Sequence, residues 1–151
     1  EIREVVAAPG SINFKGNSVS EEKGGLAFQF EIAAKNVGIK WWNYYVKGSA
    51  TVNYAGSEYK LVTMGAIMNN QGETDLTLEK VDDFHTLNVE AIRLFDLTDD
   101  ALYFATRCIN MPMNHINTII YARPYMVLEK DGAQIVIYGD VQGQSYNGAK
   151  G

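Results

Sequence analysis

One cysteine, three prolines and two histidines are all that 151 residues offer for stapling, breaking or ligating. With Cys108 alone, no internal disulfide can form and a cysteine-rich zinc site is excluded. Its setting, LYFATRCIN, suits a small buried apolar side chain better than a nucleophile. His85 and His115 fall outside any HExxH-type spacing and are read as structural or solvated. No apolar run approaches the ~20 residues that span a bilayer, so membrane insertion is not expected. Thirteen Lys and Arg face eighteen Asp and Glu, a net charge of -5. Nucleic acid is therefore not expected as a partner, because phosphate backbones are held by clustered cations. No GxSxG elbow, P-loop or GxGxxG precedes a helix, so phosphate and serine-nucleophile chemistry has no support.

What is present is β patterning. In GLAFQFEI, Leu26, Phe28, Phe30 and Ile32 share one face while Ala27, Gln29 and Glu31 take the other, the alternation of a half-buried strand. ATVNYAGSEYKLVTMGAIM reads as two strands joined at Ala55 and Gly56. TIIYARPYMVLEKDGAQIVIYGDV reads as two more, joined through Lys130, Asp131 and Gly132. TLNVEAIRLF and ALYFATRCIN, between them, are also β-rich. No segment keeps a helical period beyond about two turns, and the length fits one domain. The expectation is all-β: a single antiparallel β-sandwich, Ig-like or jelly-roll-like, over residues 1–151. Leu26, Phe28, Phe30, Leu102, Phe104 and Tyr121 are expected in its core, and Pro124 is expected to mark an edge strand or bulge. The chain opens on EIREVV without Met or a signal segment, so it is expected to be a processed product or, the favoured reading, a piece excised from a larger multidomain polypeptide. Residues 142–151, ending GQSYNGAKG, read as a frayed tail or linker.

Asp82 with Asp83, and Asp99 with Asp100 near Asp96, could be imagined as a glycosidase pair or an oxygen-ligand calcium site. VDDF and LTDD sit where strands should end, however, and Asp is a preferred turn residue that bonds its own backbone. Neither follows the spaced DxDxDG calcium loop. A noncatalytic protein without cofactor is expected, with structural calcium left open.

The densest feature is GIKWWNYYVKG. If it is extended, Trp41, Asn43 and Tyr45 point one way and Trp42, Tyr44 and Val46 the other. A single interior would accept only one set. The other would present a Trp and a Tyr ~6.8 Å apart, flat rings beside an amide or hydroxyl, as a surface for the apolar faces of pyranoses. Trp41, Trp42, Asn43, Tyr44 and Tyr45 are therefore the candidate ligand-binding residues, and a neutral polysaccharide is the candidate ligand. Two other readings stay open: a core plug at one end of the sandwich, and a docking patch for a neighbouring module.

LYFATRCINMPMNHINTIIYARPYMVLEKDGAQIVIYGDV resembles the closing segment of Ig-like β-sandwich modules in large secreted proteins of anaerobic, fibre-degrading gut bacteria, including dockerin-bearing cellulosomal proteins. The similarity follows Tyr103 and Phe104, Met111 and Pro112, Tyr121 to Tyr125, and Ile137 to Asp140. GGLAFQF and VTMGAIM resemble earlier strands of the same modules, so the likeness runs from about Gly25 to Asp140. The resemblance implies a noncatalytic accessory module, secreted or on the cell surface, whose partners are a polysaccharide or neighbouring domains of the same polypeptide. Its matching residues are architectural and name no ligand.

Overall fold

The computed structural model describes residues 2–6, 12–33, 40–41, 50–72, 76–82, 85–91, 94–97 and 101–151. Their strands, in chain order, are β1 (Ile2–Val6), β2 (Ile12–Ser20), β3 (Gly25–Ala33), β4 (Lys40–Trp41), β5 (Ala50–Tyr54) and β6 (Ser57–Asn69). β7 (Leu87–Glu90), β8 (Leu94–Leu97), β9 (Ala101–Cys108), β10 (Ile120–Lys130), β11 (Ala133–Tyr138) and β12 (Gln142–Gln144) follow, and a short helix α1 (Tyr146–Lys150) closes the chain. The protein is mostly β, built as two sheets.

The smaller sheet has the order β2-β3-β9-β8. The alternation legible in GLAFQFEI is realised on β3, whose Leu26, Phe28, Phe30 and Ile32 are fully buried. The intervening Gln29 and Glu31 remain half-buried and bond across to β2, Gln29 Nε2 donating to Ser18 Oγ at 2.7 Å and Asn13 Nδ2 donating to Glu31 Oε1 at 3.2 Å. Phe104 on β9 meets Phe30 at 5.5 Å between ring centroids. The expectation for Leu102 falls on a side chain outside the described residues.

The larger sheet runs β1-β11-β10-β6-β5-β4, with β12 beside β10 and β7 beside β6. It is curled into a half-barrel. A register shift between Val127 and Leu128 on β10 opposite β6 adds local twist, as bulges do. Its inner face meets the smaller sheet through one cluster that includes Ala66, Met68, Met126, Leu128, Ile135 and Ile137. Its outer face carries a second cluster of Ile67, Tyr125, Val127, Val136 and Tyr138, covered by Leu76. Leu78, in the 3-10 turn Leu78–Lys80, and Val81 pack against the same cluster. GAIM, YMVL and IVIY are therefore buried on both faces, which is why they read as continuous apolar runs rather than as alternation. Tyr121, expected in the core, is half-buried and packs against this outer cluster.

The two hairpins read from sequence are present. Ala55 and Gly56 turn at φ 52° and 81°, and Asp131 and Gly132 at φ 52° and 82°, the left-handed pair that suits the twist of two-residue hairpins. Three expectations are corrected. The strand pairing is not wholly antiparallel, because β1 lies parallel to β11, in register from Ile2 opposite Gln134 to Val6 opposite Tyr138. No hairpin constrains two strands so far apart in sequence, so either direction is open to them. Pro124 is not on an edge: it lies in central β10, opposite Ala66 of β6. It is tolerated because on the other side β12 pairs only with residues 120–122 and β11 only from Tyr125 onward. In that gap Gly139 N donates to the Pro124 carbonyl at 2.9 Å, and a Cβ on Gly139 would fall 2.8 Å from the proline Cγ. Residues 142–151 are not frayed. Gln142 to Gln144 pair with β10, Ser145 Oγ caps α1 by accepting from Gly148 N at 2.9 Å, and Lys150 ion-pairs with Glu21 at 2.9 Å.

Candidate functional site

Of the candidate ligand-binding residues, Trp41 belongs to β4, the terminal strand of the larger sheet, with its backbone opposite Ala50 of β5. Trp42, Asn43, Tyr44 and Tyr45 lie outside the described residues. What can be built from side chains upward is the margin two strands inward.

Because β6 runs antiparallel to both β5 and β10, the Ala55–Gly56 and Asp131–Gly132 turns reach the same end of the sheet. The parallel pairing of β1 with β11 brings Arg3 there too, opposite Ile135. Tyr54 and Tyr59 flank the first turn, packed edge-to-face at 6.4 Å with their rings 66° apart, and both rest against the inner apolar cluster. Lys130, at the second turn, holds its ammonium 5.9 Å from the Tyr59 ring centroid, a cation over an aromatic face. Beside them opens a groove of about 520 Å³, lined by Arg3, Tyr59, Lys130, Asp131, Gln134 and buried Ile135. Arg3, Lys130 and Asp131 are exposed, and Gln134 Nε2 donates to Glu129 Oε1 at 3.4 Å.

A second open groove, about 580 Å³, lies over the outer face between Arg3, Glu4, Leu78 and Glu79. Two of these residues are joined by the Tyr138 hydroxyl, which donates to Glu4 Oε1 at 2.8 Å and accepts from Leu78 N at 2.9 Å. Arg123 stacks 4.4 Å from the Tyr138 ring centroid and donates through Nε to the Gly139 carbonyl at 3.1 Å. Burial pushes the Tyr138 phenol well above its ordinary range. Tyr125, fully buried, is raised the same way, by burial first and then by the Glu90 charge, while it donates to Asn88 Oδ1 at 2.6 Å. Both phenols stay protonated: Tyr138 donates to Glu4 on β1 and accepts from the covering turn at Leu78, and Tyr125 donates to Asn88 on β7.

Of the remaining acidic candidates, Asp82 resolves into local structure. Asp82 Oδ1 accepts from His85 N at 2.7 Å and Thr86 N at 2.9 Å, with His85 Nδ1 3.2 Å from Oδ2, so this carboxylate organises a turn. Asp96 lies on β8, while Asp83, Asp99 and Asp100 fall outside the described residues. His115 Nδ1 lies 3.2 Å from Thr118 Oγ1. Cys108 is half-buried against the inner cluster and burial raises its thiol pKa, the setting of an inert side chain. Among the described residues no three His, Cys, Asp or Glu come together as metal ligands.

Sequence reasoning did not find the groove of Arg3, Tyr59, Lys130 and Gln134. Both turns were legible, but only strand register brings them to one end with the first strand beside them. Comparison with family models, curated proteins and solved structures finds no match for this chain.

Proposed function

We propose that this chain is a noncatalytic carbohydrate-binding module, an Ig-like or jelly-roll-like sandwich belonging to a secreted or cell-surface polysaccharide-degrading protein of the kind its second half resembles. Its ligand is a neutral polysaccharide, with a β-glucan the first candidate, held on Trp41 or Trp42 together with Asn43, Tyr44 and Tyr45. The observation that carries this reading is that Trp41 stands on the terminal strand of the larger sheet, with strand pairing on one side only among the described residues. An edge strand is where aromatic side chains can meet a ligand without leaving a core. The same sheet carries a part-buried aromatic pair, Tyr54 and Tyr59, at its hairpin end, and such rings fit sugars that have apolar faces and hydroxylated rims.

The test is Trp41→Ala and Trp42→Ala made separately, with retardation in polysaccharide gels and melting temperature both measured. A platform residue loses roughly five- to hundredfold in affinity with little change in melting temperature, by analogy with aromatic stacking elsewhere. A core tryptophan instead costs ~3 to 5 kcal/mol of stability.

A second reading, a structural or protein-interaction module between domains, is favoured by a different surface. In the crossing from β9 to β10, Met113 is 81% exposed and Ile109 51% exposed. Apolar side chains left in water in this way suit a neighbouring domain of the same polypeptide. Absence of any glycan retardation, with Met113 protected from oxidation in the longer polypeptide but not in the isolated module, would decide for it.

A further inference from the structure

The groove at the hairpin end differs in charge from the rest of the molecule. The chain as a whole carries -5, yet Arg3 and Lys130 line this groove against a single carboxylate, Asp131. Among the described residues neither cation has a carboxylate within ion-pair distance. The site thus has one cation in excess beside Ile135 and Tyr59, and its size lies within the range of small-ligand sites.

We propose that this groove is a subsite for a carboxylate-bearing sugar, a uronate residue of a polysaccharide. This rests on the reading of the chain as a glycan-binding module and adds to it a charged position apart from the aromatic strand. The chemistry divides among the residues as follows. The planar guanidinium of Arg3 matches a carboxylate with two parallel donors, and Lys130 supplies a mobile point charge. Lys130 stands 5.9 Å from the Tyr59 ring centroid at the groove wall, where its ammonium can meet the carboxylate of a sugar whose apolar side rests against Tyr59 and Ile135. The Gln134 amide and the Asp131 carboxylate, one a donor and acceptor and the other an acceptor, can take the ring hydroxyls.

The groove can be challenged without disturbing the fold, because Arg3 and Lys130 are exposed. Affinity gels containing polygalacturonate, alginate or glucuronoxylan are run with the wild-type chain, Arg3→Gln, Lys130→Gln and the double variant. A neutral β-glucan gel and the Trp41→Ala variant run in parallel. The expected result is retardation by at least one uronate polymer, reduced about tenfold by Arg3→Gln and severalfold by Lys130→Gln, with unchanged melting temperatures. Added salt should weaken the interaction, and complete methyl esterification of polygalacturonate should abolish it where that polymer is bound. No retardation by any uronate polymer overturns the proposal. So does binding that survives esterification or the double substitution, or polyglutamate binding of equal strength. Neutral-glucan binding lost in Trp41→Ala, with no uronate binding, leaves the module reading standing and removes the groove. Uronate binding that depends on Arg3 and Lys130, without any neutral-glucan binding, establishes the groove and removes the neutral-glucan platform.

Discussion

β3 in the smaller sheet and β6 in the larger one both have adjacent large residues at their centres, but they resolve them differently. On β3, Phe30 is buried and its neighbour Gln29 faces the wetter side, so alternation in sequence is alternation between interior and water. On β6, Ile67 and Met68 are both buried, Ile67 in the outer cluster and Met68 in the inner one. β10 and β11 repeat this with Tyr125 and Met126 and with Ile137 and Tyr138. The difference bears on the tryptophan pair. Adjacent rings must point to opposite faces, but opposite faces need not mean one buried and one exposed where a sheet has an apolar layer on each side. The platform reading therefore depends on β4 being at the margin, not on alternation alone.

The largest expected effects test that difference directly. Ile67→Ala and Met68→Ala should each cost ~2 to 5 kcal/mol, seen as comparable falls in melting temperature, whereas on β3 Phe30→Ala should cost ~3 to 5 kcal/mol and Gln29→Ala less than about 1. A near-neutral Ile67→Ala would mean the outer layer contributes little and the larger sheet behaves like the smaller one. Gly65→Ala should follow at ~1 to 3 kcal/mol, because a Cβ there would collide with the Val89 carbonyl and Glu90 Cα and crowd the Tyr125 hydroxyl at 3.1 Å. That result would locate tight packing at the join of β6, β7 and β10.

Alkaline titration separates the two layers by chemistry. The folded-state pKa of Tyr125 is raised above its unfolded value, so its contribution to stability is complete below about pH 10 and is lost as pH rises beyond it. The expected slope is ~1.4 kcal/mol per pH unit for this group, with Tyr138 adding its own share, so Tyr125→Phe should reduce the total slope by roughly half in urea unfolding measured from pH 9 to 11.5. The smallest effect has the opposite sign. Thr106, 1% exposed on β9, has a buried hydroxyl without a hydrogen-bond partner among the described residues, so Thr106→Val should raise stability by ~1 kcal/mol or less, measured by denaturant midpoint.

Much of the local architecture was legible because it is written in neighbouring residues. GLAFQFEI states its own face, and Asp131 with Gly132 states its own turn. The parallel seam of β1, the return of residues 142–150 and the partner gap at Pro124 were not legible, since each depends on segments separated by many residues in the chain. The same holds for the groove, whose residues 3, 59, 130 and 134 share no local pattern and meet only through register. The aromatic cluster was conspicuous in sequence, but apart from the backbone of Trp41 it falls outside the described residues.

The seam between β1 and β11 has a kinetic consequence. Residues 2–6 are made early, yet their strand partner at residues 133–138 is made more than a hundred residues later, and the bond from Tyr138 to Glu4 closes a loop of almost the whole chain. During synthesis the first strand must wait, with its backbone groups satisfied by water, while β3 and β9 or β5 and β6 can already pair. Because the pairing joins opposite ends of the sequence and needs β11 in place, docking of β1 should be among the later steps of folding. Until then, β11 presents an open edge on which the first strand of another nascent copy could settle instead.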